Sequence, residues 1–429
     1  MGNQIYPLKE LCTEITVGYV GPMAKEYVEE GVPLLRSLNI KPYVLELSDL
    51  KYISSDFNKT IKKSSLREGD VVIVRTGIPG TSCVIPDGFE ALNCSDLVIA
   101  RPDKKKLDAH YLSFYFNTMA KRYVSNQLVG AIQQHFNVGA AKEMLIHLPQ
   151  IEEQKAVAKV LSDLNARIEL NNKINEELEA MAKLIYDYWF VQFEFPFNFA
   201  QGKPSEDGKP YKSSGGKMVW NPELKREIPE GWEVGTLGDI AELVRGVTYG
   251  SDDIKSQSAS DVIPILRATN ISGNVIDLNN MVYVPKQNVS NAQLLNKYDI
   301  LITMSSGSKE HIGKNGFFYY ERKASFGAFC AKIVANAEYR YYLYSFTQSD
   351  FMFTTIKNEC LGTNINNLNG SLVKGFKLII PPNELINSFN VKVNPVYEKI
   401  GNNLIQNQKL TELRDWLLPM LMNGQVKVK

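Results

Sequence analysis

The sequence predicts an α+β protein: two similar mixed α/β halves, joined by two long helices that form an antiparallel coiled coil, with an internal pseudo-two-fold repeat. Three observations carry that expectation. First, an apolar stripe at heptad spacing occurs twice. Leu161, Leu164, Ile168, Asn171, Asn175, Leu178, Ala182 and Ile185 map at one constant offset onto Val393, Val396, Ile400, Asn403, Asn407, Leu410, Arg414 and Leu417. Second, the segments ahead of the two stripes echo each other, Val32–Ile40 with Ile263–Ile271 and Leu66–Ile73 with Leu295–Ile302. Third, these segments are short β-branched and aromatic runs broken by Gly, Pro and Asn, which is strand-and-turn composition.

The elements follow in chain order. Residues 1–148 form the first globular half, with a helical stretch near 108–125. Residues 149–192 form the first long helix, opened by Glu152, Glu153 and Gln154 behind Pro149. Apolar residues at a and d positions over nearly four heptads predict a coiled-coil seam. The asparagines at core positions in both copies predict register-setting pairs, since a buried amide demands a partner. In an antiparallel pair Asn171 faces Asn407 and Asn175 faces Asn403. The aromatic residues Tyr186, Tyr188, Trp189, Phe190, Phe193, Phe195, Phe197 and Phe199 crowd the end of this helix. They read either as core packed on a globular half or as a partner-binding patch.

Residues 193–230, rich in Gly, Pro and Ser over Gln201–Gly216, read as a polar connector. Residues 231–382 form the second half, with helix near 337–357, and residues 383–429 the second long helix. Pro395 and Pro419 fall within that helix. An interior proline removes a hydrogen bond and clashes with the preceding turn. The helix is therefore expected either to begin near Pro395 or to kink there, and to fray at Pro419.

Composition narrows the function classes. Hydrophobic residues at 44% and charged residues at 22% describe a folded chain. No apolar run approaches the roughly 20 residues of a membrane span. The amino-terminal residues lack a signal-peptide pattern, so a cytoplasmic location is expected. Five scattered cysteines with no CxxC or Cys/His spacing predict buried free thiols, with neither a disulfide framework nor a metal. The 48 Lys and Arg against 47 Asp and Glu require any nucleic-acid surface to be a local patch. No catalytic signature survives inspection. Gly307–Lys314 has the wrong spacing for a phosphate loop, and Asn315 follows where Ser or Thr is needed. Asn394-Pro395-Val396-Tyr397 lies inside a helix with no cofactor loop before it. Pro86, Asp87 and Glu90 lack a following nuclease lysine, and the four histidines have no triad or ligand spacing.

Longer motifs bring the chain to a known family. Leu148-Pro149-Gln150-Ile151-Glu152-Glu153-Gln154, Tyr188-Trp189-Phe190-Val191-Gln192-Phe193-Glu194-Phe195-Pro196, Lys209–Gly216 continuing to Ile228–Glu233, and Leu413-Arg414-Asp415-Trp416-Leu417-Leu418-Pro419 carry the likeness. With the duplicated layout, the chain resembles the specificity subunits of type I restriction-modification enzymes over essentially its whole length. The resemblance implies that each half is a target recognition domain reading one half of a split site on double-stranded DNA. The paired helices would be a ruler; about 40 residues span about 60 Å, against about 34 Å per DNA turn. It also implies docking of two modification subunits, which carry S-adenosylmethionine and methylate adenine, and of restriction subunits with motor and nuclease activity. On this reading the chain binds no cofactor and is not an enzyme. Two other readings stand beside it. One is a type II specificity subunit whose partner fuses methyltransferase and nuclease. The other is a coiled-coil scaffold with no DNA role.

Base-edge and phosphate contacts need Arg, Lys, Asn, Gln, Ser or Thr on loops. In the first half the candidates are Arg36, Asn39 and Lys41, then Arg75, Thr76 and Thr81, then Gln133, Gln134, His135 and Asn137. In the second they are Arg267, Thr269 and Asn270, then Ser305, Ser306, Lys309, His311 and Lys314, then Thr363, Asn364, Asn366 and Asn367. Turn chemistry competes for the asparagine-rich loop. For Arg36 and Arg267, recurrence is equally the mark of a shared structural ion pair.

Overall fold

The computed structural model describes residues 4–119, 136–361 and 367–428. They group into two compact units, Met1–Leu170 with Asn407–Lys429, and Asn171–Gln406. The division falls inside both long helices, so each globular half folds together with a stretch of each.

The first unit is organised by a four-stranded antiparallel sheet in the order Cys12–Val17, Leu97–Pro102, Val71–Val74, Ser82–Val84. Val71-Val72-Ile73-Val74 is an unbroken apolar run because both of its faces are covered. Val71 and Ile73 pack with Val98, Ala100, Tyr111, Leu112 and Phe116, while Val72 and Val74 pack with Leu35, Ile40, Cys83 and Ile99. A second sheet sets Asn93–Cys94 parallel to Val32–Leu35. Gln4–Pro7 pairs with Leu145–Leu148 and closes the half just before the long helix begins. Helix Ala109–Asn117 starts where Asp108 accepts the amide of Tyr111, the side-chain cap that an N-terminus needs.

The second unit repeats this plan. Its main sheet runs Ala241–Arg245, Cys330–Ala335, Ile300–Thr303, Asn315–Phe317, again antiparallel throughout. Ser325–Phe326 lies parallel to Val262–Leu266, and Glu233–Thr236 pairs with Lys377–Ile380 ahead of the second long helix.

The first long helix is Ile151–Tyr186. Gln154 is buried at its start, where its amide nitrogen donates to the carbonyls of Lys106 and Pro149. Glu152 and Glu153 lie at the positive end of the helix dipole. The second long helix, Asn383–Met422, runs unbroken through Pro395 and on past Pro419. It does not begin at Pro395 as one alternative required, and it does not end at Pro419. Pro395 is on the exposed face, where the Val391 carbonyl, denied its usual donor four residues on, is open to solvent.

Within each unit the two helices pair antiparallel. In the second unit Asn171 donates to Gln406 and Asn403 donates to Asn175, each at 2.8 Å, while Trp189 packs on Phe389 at 5.9 Å. The Asn175–Asn403 pair is the expected one. Asn171, expected opposite Asn407, bonds its neighbour in sequence, Gln406. In the first unit Arg414 donates to Asn165 at 2.9 Å, and Val157, Ala158 and Leu161 share a core with Leu418, Leu421 and Met422. The buried stripe also departs from strict heptads: Asn165 and Tyr186 are buried where Leu164 and Ile185 were expected, and those two are only partly covered. A helix of 3.6 residues per turn drifts away from a 3.5-residue repeat, so the facing residue changes along it.

Residues 193–230 are a packed element and not an open connector. Pro196–Asn198 pairs with both Lys203–Pro204 and Lys209–Pro210, and Met218–Asn221 forms a ladder with Arg226–Pro229. Phe195 stacks between Tyr211 (4.7 Å) and Trp232 (5.2 Å), and the Arg226 guanidinium lies over Phe193 at 4.7 Å. A Cβ at Gly216 would come within 2.4 Å of the Tyr211 ring, so only glycine lets the chain close over it. The aromatic cluster is therefore core: Tyr186, Trp189, Phe190, Phe193 and Phe195 are buried in the second unit, and Tyr188 and Phe199 are exposed.

Candidate nucleic-acid interface

In each unit several strands end at one edge, where backbone hydrogen bonds draw their loops together. In the first unit the Ser95 amide donates to Leu35, Tyr19 to Cys94, Asp96 to Tyr19, and Phe136 to Arg75, at 2.9, 2.9, 3.1 and 3.1 Å. In the second, Gly327 donates to Leu266, Val247 to Phe326, Ala328 to Val247, and Leu368 to Met304, at 2.8, 2.8, 2.9 and 2.7 Å. These four bonds correspond one to one between the units. Each also needs a glycine at the crossing: a Cβ on Gly18 would meet the Cys94 carbonyl at 2.8 Å, and one on Gly246 the Gly327 carbonyl at 2.2 Å.

This edge gathers part of the expected set. Arg75 and Thr76 are held by one carboxylate: Arg75 Nη1 donates to Asp96 at 2.7 Å and the Thr76 hydroxyl at 3.0 Å. They sit beside the backbone of Phe136, and so beside Asn137. In the second unit Ser305 forms a backbone bridge with Asn367, and Ser306 follows it into an exposed loop. In that loop the Lys314 amine lies 3.0 Å from His311 Nδ1. Gln133, Gln134, His135, Thr363, Asn364 and Asn366 lie outside the described residues, as does the side chain of Lys309.

Other expected residues are used by the scaffold. Asn39 is 1% exposed; its carbonyl oxygen accepts the Arg36 amide at 3.0 Å, and its amide donates to the carbonyls of Glu46 and Asp49. Asn270 repeats this turn, accepting from Arg267 at 2.9 Å and donating to Asp277 and Asn279. Both amides are spent inside the fold, and neither reaches a ligand. Thr81 is also buried, its carbonyl taken by the Val74 amide. Asn137 caps helix Val138–Glu143 by accepting from Ala140. Lys41 is exposed on a hairpin whose Tyr43 packs on Phe114 and under Arg414. Thr269 is exposed next to the Asn270 turn.

Arg36 and Arg267 brace equivalent turns with different charge balance. Arg36 Nη2 donates to both the carbonyl and the carboxylate of Asp49 at 2.8 Å. That hydrogen bond and charge hold the Asp49 carboxyl below its ordinary range. Arg267 Nη2 donates to the carbonyl of Asn280 at 2.8 Å, with an amide side chain where the first unit has an acid. Among the described residues no carboxylate lies within ion-pair distance of Arg267, in contrast to Arg36.

Three residues at these edges carried no sequence signal: Asp96, Arg245 and Phe329. Asp96 organises Arg75 and Thr76 from 20 or more positions away in sequence. Arg245 ends an ordinary strand and is exposed beside Ser305, Phe329 and Asn367. Phe329 is 68% exposed although it lies just ahead of the buried strand Cys330–Ala335. The thiols near the sheets are protected by burial, which pushes Cys12, Cys83 and Cys330 up to about 12 and Cys94 up as well. Among the described residues no three His, Cys, Asp or Glu side chains converge as metal ligands.

Comparison with known proteins bears on this geometry. The type I restriction modification DNA specificity domain matches residues 8–180 and 229–412, one copy for each half. The type I restriction enzyme MjaIX specificity subunit of Methanocaldococcus jannaschii is 27% identical over 412 residues, covering 94% of this chain and 89% of that one. The EcoKI specificity subunit of Escherichia coli K12 is 33% identical over 161 residues, 36% of this chain and 34% of that one. Among solved structures, the type I restriction-modification S subunit from M. genitalium superposes with a TM-score of 0.56 at 16% identity, covering 97% and 95% of the two chains.

Proposed function

This chain belongs to the type I restriction-modification DNA specificity family, and from that premise we propose that it is the DNA-reading subunit of a type I restriction-modification complex. Each half is a target recognition domain for one half of a bipartite site on double-stranded DNA. The long helices set the gap between the half-sites and dock two modification subunits, which restriction subunits join. The chain supplies recognition and no catalysis. S-adenosylmethionine belongs to the modification subunits, which methylate adenine, and the complex works in the cytoplasm, where the DNA is.

The observation that supports this reading best is the duplicated edge. Two copies of one hydrogen-bonded framework carry different side chains: Arg75, Thr76 and Asp96 in one, Arg245, Ser305, Phe329 and Asn367 in the other. A scaffold kept constant beneath varied polar loops is what reading two unlike sequences demands, because base edges are distinguished by the pattern of donors, acceptors and methyl groups presented to them.

Methylation sequencing of DNA from cells expressing the chain with its modification subunit tests the proposal. A new bipartite motif with one modified adenine in each half is expected. Unchanged methylation, with the complex assembled and the modification subunit active, would overturn it.

A further inference from the structure

The corresponding corners of the two edges differ by one inserted residue. Gly18 donates to the carbonyl of Leu97 and Gly246 to that of Cys330, so Leu97 and Cys330 are equivalent. Cys94 and Phe326 are equivalent in the same way, through Tyr19 and Val247. Between these anchors the first unit has Ser95 and Asp96, whereas the second has Gly327, Ala328 and Phe329. In the first unit Asp96 fills the corner with a carboxylate that binds Arg75 and Thr76.

In the second unit the corner presents a phenyl ring, 68% exposed. It is not a loose loop. The Phe329 carbonyl accepts the amides of Met304 (2.9 Å) and Ser305 (3.1 Å), Ala328 donates to Val247 (2.9 Å), and Cys330 donates to Gly327 (2.8 Å). The fold thus fixes the backbone on both sides of a ring that it leaves in solvent, although burying such a ring is favourable. Around it lie Arg245, Ser305 and Asn367, one cation and two groups of the kind that bond base edges.

Building on the DNA-reading assignment above, we propose that Phe329 is a base-contacting, specificity-determining residue of the second recognition domain. The ring makes an apolar contact with a base, against a thymine methyl or the face of an unstacked base, while its polar neighbours hold the backbone and base edges. Both forms of contact use the same chemistry, an apolar surface meeting apolar nucleobase surface.

The test uses the full chain assembled with its modification subunit, and the motif found by methylation sequencing. Binding of Phe329→Ala and Phe329→Leu is measured on the cognate duplex and on duplexes altered in one half-site at a time. Phe329→Ala should lower cognate affinity about tenfold and weaken discrimination at one half-site, leaving the other and the melting temperature unchanged. Phe329→Leu should fall between Ala and wild type. Deoxyuridine in place of thymine, reproducing the loss in wild type and adding nothing to Phe329→Ala, identifies a methyl contact. A 2-aminopurine signal that rises on binding wild type and not Phe329→Ala identifies an unstacked base. Wild-type affinity and discrimination in Phe329→Ala would overturn the inference, as would a loss confined to assembly with the modification subunit. A wild-type complex that discriminates neither half-site would instead overturn the DNA-reading assignment, and the inference with it.

Discussion

At the scale of single residues, the buried amides are the points where one atom decides much. Asn175 and Asn403 satisfy each other at 2.8 Å, away from water. Asn403→Ala leaves the Asn175 carbonyl oxygen without its donor, and an unsatisfied buried polar group costs about 1–3 kcal/mol. The second unit should then unfold earlier in urea. Asn175→Leu combined with Asn403→Leu should recover most of the loss while loosening register, because apolar residues pair without demanding one alignment. Equal stability of Asn403→Ala and wild type would show that water enters the seam. The same scale explains which candidate contacts were legible. Arg75, Thr76 and Ser305 reach the edge because they follow directly on strands that the sequence locates. Asn39 and Asn270 have the residue type that reads bases, yet the turn consumes both of their polar atoms. Residue type announces hydrogen-bonding capacity and is silent about which partner takes it.

At the scale of elements, the long helices were legible because a buried stripe must recur with the helical period. Their details were not. The interior proline reads as a start or a kink, but an exposed turn can lose one hydrogen bond when packing on the other face outweighs it. In the second helix Val393, Val396 and Ile400 lie in the core of the second unit around Pro395. Pro395→Ala should restore the bond to Val391 and stabilise the helix by up to about 3 kcal/mol, seen as a higher melting temperature. No rise would show that the proline is already compensated by its surroundings. Inserting seven residues after Leu170, with seven after Gln406 to keep the antiparallel partners matched, lengthens each helix by about 10 Å. The gap in the DNA site should grow by about three base pairs while both half-sites persist, read by methylation sequencing. An unchanged gap would remove the ruler role from the helices. The segment 193–230 shows the opposite failure. Its Gly, Pro and Ser content signals a linker, whereas its aromatic residues, spaced widely in sequence, meet only once the chain folds.

At the scale of the whole molecule, each unit has its own sheets, core clusters and candidate edge. Exchanging residues 231–382 for the corresponding domain of another family member should therefore change one half-site and leave the other intact. Altered methylation at both halves would mean that the readers are coupled. The sequence by itself determined the duplication, the two long antiparallel helices with their Asn175–Asn403 pair, and the α+β character of each half. These rest on periodicity and on repetition, which are properties of the linear chain. The tertiary structure alone decided that the compact units divide inside the helices and that Asn171 bonds Gln406. It also decided that Asp96 governs Arg75 and that Phe329 stands in solvent. Each of these depends on groups distant in sequence competing for the same hydrogen bond or the same buried volume, and that competition is settled only when the chain closes on itself.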